Sequence, residues 1–128
     1  MKLVKILAEI SAGELADKIT ILEIKKEHIK DPQKLADISK ELSSLNTTFK
    51  NHIDENKIKK EMNELKEINS KLWEIENLKR EAEKNKNFGE DFINLSRSVY
   101  KTNDQRSKIK LKINLLLGSN IKEVKSHY

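Results

Sequence analysis

The stretch FINLSRSVYKTNDQRSKIKLKINLLL, residues 92–117, decides how this chain folds. At 100° per residue, a helix here places on one stripe Phe92, Leu95, Val99, Asn103, Arg106, Ile113 and Leu117. Asn103 and Arg106 therefore lie where the helix needs apolar side chains. Because a buried amide or guanidinium is costly unless it is paired, either the rest of the fold or a ligand must satisfy these two groups.

The composition favours long helices with thin apolar seams. Of 128 residues, 36% are apolar and 37% are charged, and one proline and three glycines leave few places to break a helix. The length predicts one helical domain over residues 1–128. Since so thin a core covers little surface, we expect a homo-oligomer, most simply a dimer, or another protein partner.

The charge pattern argues against nucleic-acid binding. The net charge is +5, but Glu residues are interspersed with the Lys residues along the same segments. The cations comprise 23 Lys and only three Arg, namely Arg80, Arg97 and Arg106. Each Arg is therefore of interest, because its planar fork binds two oxygens in a way that Lys cannot.

The sequence also predicts a cytoplasmic protein without a membrane span. It contains no Cys, and no apolar stretch approaches membrane-spanning length. Lys5 and Glu9 interrupt the first apolar run, which argues against a signal peptide.

Capping signals define the first two helices. Ser11 and Glu14 form a capping-box pattern, with Ile10 and Leu15 as the flanking hydrophobic pair, and predict a helix over residues 12–30. Asp31 followed by Pro32 predicts the start of a second helix, over residues 32–53.

The remaining helices follow from changes in the apolar spacing. The seam of residues 35–52 resumes at Ile58 out of phase, which predicts a helix over 57–85 that folds back on 32–53 as a long antiparallel coiled-coil hairpin. The loop 85–89 precedes a helix over 90–117, which Gly118 ends. The fold class is thus an all-α extended bundle, with a minor two-stranded β ribbon from residues 3–10 and 121–126 as an option.

Four segments, EISAGELADKITILEIK (9–25), LWEIE (72–76), FGEDFINLSRSVYKTNDQR (88–106) and INLLLGS (113–119), resemble a family of small bacterial helical proteins known as a domain of unknown function. Its motifs are GEL-x-DKI-x-ILEIK and VY-x-TND-x-R. The resemblance implies no known activity. It implies only that such chains are often encoded beside sugar-transferase and polysaccharide genes, which is an association and no mechanism.

Asp17 is the natural partner for Arg106. It shares a helix face with Ile21 and Ile24, so its carboxylate needs a cation. We expect the first and fourth helices to pack together through an Asp17–Arg106 pair, with Asn103 nearby. This cluster either fixes the packing register or lines a ligand site, whose residues would be Asp17, Tyr100, Asn103, Asp104 and Arg106.

The sequence shows no catalytic motif and predicts neither a metal site nor a cofactor. His28, His52 and His127 are scattered, and no nucleophile or phosphate-binding motif occurs. Gly13 and Glu14 open a helix, where a structural role is favoured over an anion site because Glu14 is itself negative.

Two functions remain open. The chain is either a non-enzymatic helical interaction module, accessory to polysaccharide or sugar-transfer machinery, or a binding protein or small enzyme for a sugar phosphate or nucleotide-sugar at the Asp17/Tyr100–Arg106 cluster. The first needs a packed seam, whereas the second needs a concave site.

Overall fold

The computed structural model describes residues 2–126 and is all-helical over that range. His127, one of the three histidines considered above, lies outside the described residues. The elements are α1 (Ala12–His28), α2 (Pro32–His52), a single 3₁₀ turn (Glu55–Lys57), α3 (Lys59–Lys84) and α4 (Glu90–Leu117). The predicted helices are confirmed, with ends that differ by at most two residues.

The capping residues explain why the helices begin and end where they do. The Ser11 side chain accepts a hydrogen bond from the Glu14 backbone N–H, and the Asp31 side chain accepts one from that of Lys34. Pro32 occupies the first turn of α2, where its missing N–H costs nothing. Gly118 ends α4 in the left-handed conformation at φ 63°, which suits glycine.

The most extensive helix pair is α3 with α4, which run antiparallel across the short loop 85–89. α1 packs against all three other helices, and α2 packs mainly against α1. The hairpin partner predicted for residues 57–85 was therefore wrong, since that segment pairs with α4 rather than with residues 32–53. The chain changes direction at residues 53–58, where the apolar spacing changes phase. α2 and α3 then each pack against α1.

The core lies around α1 and is mostly aliphatic. Leu15, Ile19 and Leu22 of α1 meet side chains from every other helix, including Ile38, Leu42, Phe49, Ile58, Leu65 and Ile113. Because α1 is apolar on several sides, it is the element on which the bundle is assembled.

The β ribbon predicted from the termini is absent from residues 2–126. Neither residues 2–10 nor residues 119–126 form a strand or helix. Between these two segments a hydrogen bond joins side chains, with Asn120 Nδ2 donating to Glu9 Oε2 at 2.8 Å. The polar groups of the second segment instead bind the start of α1, and a lone two-stranded ribbon would be marginal in any case.

None of the helices within residues 2–126 is long and apolar enough to cross a membrane.

Candidate functional site

The Asp17 carboxylate joins three helices. Its side chain is 1% exposed. Arg106 of α4 donates from Nε to Asp17 Oδ1 at 2.8 Å and from Nη2 to Asp17 Oδ2, which makes a bidentate pair. Asn69 of α3 donates from Nδ2 to Asp17 Oδ1 at 2.9 Å. The predicted pair between α1 and α4 is confirmed.

A second layer of contacts holds this pair in place. Asn69 Nδ2 also donates to Thr20 Oγ1 at 2.9 Å, and Thr20 donates in turn to the Asp17 carbonyl oxygen at 2.8 Å. Lys110 Nζ lies 3.8 Å from Asp17 Oδ2 and 2.6 Å from Glu14 Oε2. The hydrogen bond to Asp17 raises the pKa of Arg106 above its ordinary value, although burial opposes that shift.

The structure brings together only some of the residues predicted to line a ligand site. Asn103 lies beside Arg106, with Arg106 Nη1 donating to Asn103 Oδ1 at 3.4 Å. Tyr100 is exposed, and Asp104 is an exposed carboxylate 3.4 Å from Lys125 Nζ. Neither Tyr100 nor Asp104 makes a hydrogen bond or ion pair with Asp17 or Arg106.

Backbone N–H groups at the start of α1 are satisfied by the protein itself. The Ala12 N–H donates to Ser119 Oγ at 3.1 Å, the Gly13 N–H to Asn114 Oδ1 at 2.6 Å, and the Glu14 N–H to Ser11 Oγ at 3.1 Å. These are the groups that an anion would need at a helix N-terminus. These N–H groups therefore have structural partners at the start of α1.

Glu14 differs from the capping-box expectation. Its carboxylate binds Lys110, and Lys18 one turn later at 3.8 Å, rather than the backbone of Ser11. Glu123 takes the position beside Ser11 instead, since Ser11 Oγ donates to Glu123 Oε1 and Asn114 Nδ2 donates to Glu123 Oε2 at 3.3 Å. Residue 123 thus ties the C-terminal segment to the start of α1.

Gly13 has a packing role. A Cβ added at this position would overlap the Lys110 carbonyl oxygen and lie 2.9 Å from Asn114 Oδ1. Only glycine therefore lets α1 approach the α4 backbone this closely. The GEL segment of the sequence is a helix-crossing point.

Sequence reasoning gave no role to Asn69 and did not single out Thr20, Lys110 or Asn114. A signal for Asn69 was present, because Ile58, Met62, Leu65, Asn69 and Leu72 follow the four-three spacing of a buried seam. A polar side chain at a seam position needs a partner, as Asn103 and Arg106 did. Residues 119 and 123 gave no such signal, since they lie beyond the last helix.

A metal centre is not suggested by the side chains of residues 2–126, which contain no group of three or more His, Asp, Glu or Cys side chains placed to hold an ion.

The fold and the Asp17 cluster define an all-helical protein with a buried ion-pair network at the crossing of three helices. The chain belongs to a family of unknown function, DUF6165, whose model matches residues 5–128. Comparison with curated proteins and with solved structures gave no match.

Proposed function

We propose that this chain is a helical protein-interaction module that self-associates through one apolar end. The observation that carries the proposal is the exposure of residues 3–10. Leu3, Val4, Ile6 and Leu7 are between 78% and 85% exposed in a segment that forms neither a helix nor a strand. Apolar side chains that cluster at a surface in this way are typical of an interaction site.

A second apolar surface lies at the same end of the bundle. Leu111, Leu115 and Leu116 of α4 are exposed, and the start of α1, from which residues 3–10 extend, packs on this part of α4 through Lys110 and Asn114. We call residues 3–10 and these three leucines together the apolar end. One chain thus supplies both a non-helical apolar segment and an apolar helix face.

The large accessible surface area of the chain supports association with a partner. The chain exposes 9606 Å², whereas a folded monomer of 14.9 kDa is expected to expose about 7,000 Å². A stable interface buries about 800 Å² on each partner, which is well within this excess.

A second copy of the chain is the occupant that these surfaces favour. In a two-fold dimer, the segment 3–10 of one copy would cover the α4 leucines of the other, and the reverse. Both surfaces would then be buried in one step, with no other protein required.

The biological setting belongs to the proposal as well. We place the module, as one domain over residues 1–128, in the bacterial cytoplasm as an accessory to polysaccharide or sugar-transfer machinery. Support for that setting comes only from the family resemblance and its gene neighbours.

The alternative, a sugar-phosphate or nucleotide-sugar site at Asp17, Tyr100, Asn103, Asp104 and Arg106, has less support. The Asp17 carboxylate already accepts hydrogen bonds from side chains of α3 and α4, and Tyr100 and Asp104 are not bonded to it. A concave site would need these groups to converge.

Light scattering coupled to size-exclusion chromatography tests the proposal. We expect a mass twice the 14.9 kDa of the monomer for the natural chain, and the monomer mass for the double variant Ile6→Asp/Leu7→Asp. The matched control is Leu78→Asp, which places a charge on an exposed leucine of α3 remote from the apolar end. The control should remain dimeric.

Circular dichroism should show equal helix content in all three proteins, because residues 6 and 7 lie outside the helices. A natural chain that stays monomeric at every concentration contradicts the proposal. So does a double variant that remains dimeric.

A further inference from the structure

A groove of about 390 Å³ lies between α1, α3 and Arg106 of α4. Its apolar wall consists of Ile21, Ile24, Leu72 and Trp73. Its size is at the lower end of the range of small-molecule sites, and its mixture of an apolar wall with a few polar groups is typical of them.

Polar side chains stand along the groove in two groups. Asn69 and Arg106 form one group, and Glu76, Asn77 and Arg80 form the other. Along α3, residues 69 and 80 are separated by about 16 Å at 1.5 Å per residue. A ligand that meets both groups is therefore elongated, with its middle against the apolar wall.

Arg106 has an unused edge. Asp17 occupies Nε and one hydrogen of Nη2, and Asn103 accepts one hydrogen of Nη1. A guanidinium carries five N–H donors, so one hydrogen on each Nη is left without a partner among residues 2–126. These two hydrogens are available to the oxygens of an oxyanion.

Asn69 also has unused capacity. Its Nδ2 donates to Asp17 and Thr20, and its Oδ1 accepts no hydrogen bond from the described residues. The Oδ1 atom keeps some accessible surface, because it is not one of the buried unpartnered atoms, and Asn69 lines the groove. Beside Arg106, this oxygen would accept a hydroxyl hydrogen of a ligand.

The rare residues of this chain gather at the groove. Two of the three Arg and the single Trp line it, in a chain with 23 Lys. His28 stacks on one side of the Trp73 indole, with ring centroids 5.2 Å apart and an interplanar angle of 21°. That contact orients the indole, which also lines the groove and can stack there on a planar ring.

We propose that this groove binds a nucleoside monophosphate. The phosphate would bind the free edge of Arg106, the ribose hydroxyls would lie near Asn69, and the base would stack on Trp73 with its edge toward Asn77 and Arg80. Asp17 already neutralises part of the Arg106 charge, so one phosphate fits better than a di- or triphosphate. This binding does not depend on self-association.

The single Trp makes the test specific. In a ¹⁵N-labelled sample of the full chain, the indole N–H of Trp73 gives one resonance that can be followed during titration with AMP or UMP. We expect this resonance to shift and saturate with at least one of the two nucleotides. Adenosine, uridine and inorganic phosphate, titrated separately, should each bind at least tenfold more weakly, because each lacks one half of the recognised chemistry.

Two matched Arg variants locate the site. Arg80→Gln should weaken the nucleotide about tenfold, whereas Arg97→Gln removes the same charge from an exposed position outside the groove and should leave affinity unchanged. Trp73→Leu, followed by calorimetry, should also weaken binding about tenfold through loss of stacking.

The absence of saturable binding by both nucleotides overturns the proposal. Binding that inorganic phosphate reproduces, or that Arg80→Gln and Arg97→Gln weaken equally, also overturns it, because the site would then be a simple anion site or lie elsewhere.

Discussion

At the scale of single residues, Asp17 determines how the helices cross. Its carboxylate receives hydrogen bonds from α3 and α4 while it is almost completely buried. The pairing with Arg106 could be predicted, because each residue interrupted an apolar stripe and the two charges were opposite. The part played by Asn69 could not be assigned, since the sequence does not tell which seam faces α1.

Asp17→Ala should therefore be severely destabilising. It leaves the half-buried Arg106 without its anion, and breaking a buried pair in this way costs about 3–5 kcal/mol in the free energy of unfolding. Asp104→Ala removes the same side chain from an exposed pair with Lys125 and should cost less than about 1 kcal/mol. Urea unfolding followed by circular dichroism measures both. Equal losses in the two variants would show that the buried network does not hold the helices together.

Gly13→Ala should destabilise the chain by about 1–3 kcal/mol, because the added methyl group meets the backbone of α4. On an open helix surface the same change would stabilise by up to about 1 kcal/mol, so the sign of the effect is diagnostic. Gly89→Ala adds the same methyl group where a Cβ meets only Asn87 Oδ1 at 3.6 Å. It should cost less than about 1 kcal/mol, because Gly89 is the N-cap of α4 and Ala is a poor N-cap. Thermal melting of both variants gives the comparison, and a stabilised Gly13→Ala protein would contradict the close crossing.

At the scale of elements, helix bounds were easier to predict than helix partners. Ser11, Asp31–Pro32 and Gly118 mark their positions through local backbone chemistry, which the sequence carries directly. α3 pairs with α4 and not with α2. Which pair forms depends on where each apolar seam packs around α1, and these seams are similar in apolar character. Local spacing does not encode that choice, and so the predicted hairpin was assigned to the wrong pair.

The C-terminal segment gives a pH-dependent prediction. Burial disfavours the charged Glu123, but the hydrogen bonds from Ser11 and Asn114 and the nearby charge of Lys110 outweigh it and lower the pKa of this carboxyl. A lowered pKa adds stability that is present above the ordinary value of 4.5 and is lost as the pH falls through the folded-state value. The gain is below about 1 kcal/mol because the carboxylate is largely in solvent.

Glu123→Gln should therefore be less stable than the natural chain near neutral pH, and the difference should shrink below the ordinary pKa of the carboxyl. Urea midpoints measured across this pH range test the expectation. Glu41→Gln, an exposed change on α2, controls for the loss of one negative charge. A stability difference for Glu123→Gln that does not vary with pH would argue against the contact with the start of α1.

At the scale of the whole molecule, the surface is larger than the core can account for. The apolar residues of the segment 3–10 and of the last turns of α4 are exposed at one end. The thin seams inferred from composition anticipated a need for further burial. The composition did not show which surface would need that burial, because a short apolar segment in the sequence can be interpreted equally as a strand, a core element or a docking segment.

The central claim is that two copies bury this apolar end against each other. Isotope-filtered NOE spectroscopy on an equal mixture of ¹³C-labelled and unlabelled chains reports contacts between copies only. We expect NOEs from the methyl groups of Ile6 and Leu7 in one copy to those of Leu115 and Leu116 in the other. A spectrum without intermolecular NOEs at these methyl groups, at a concentration where the natural chain should be fully associated, would contradict the account.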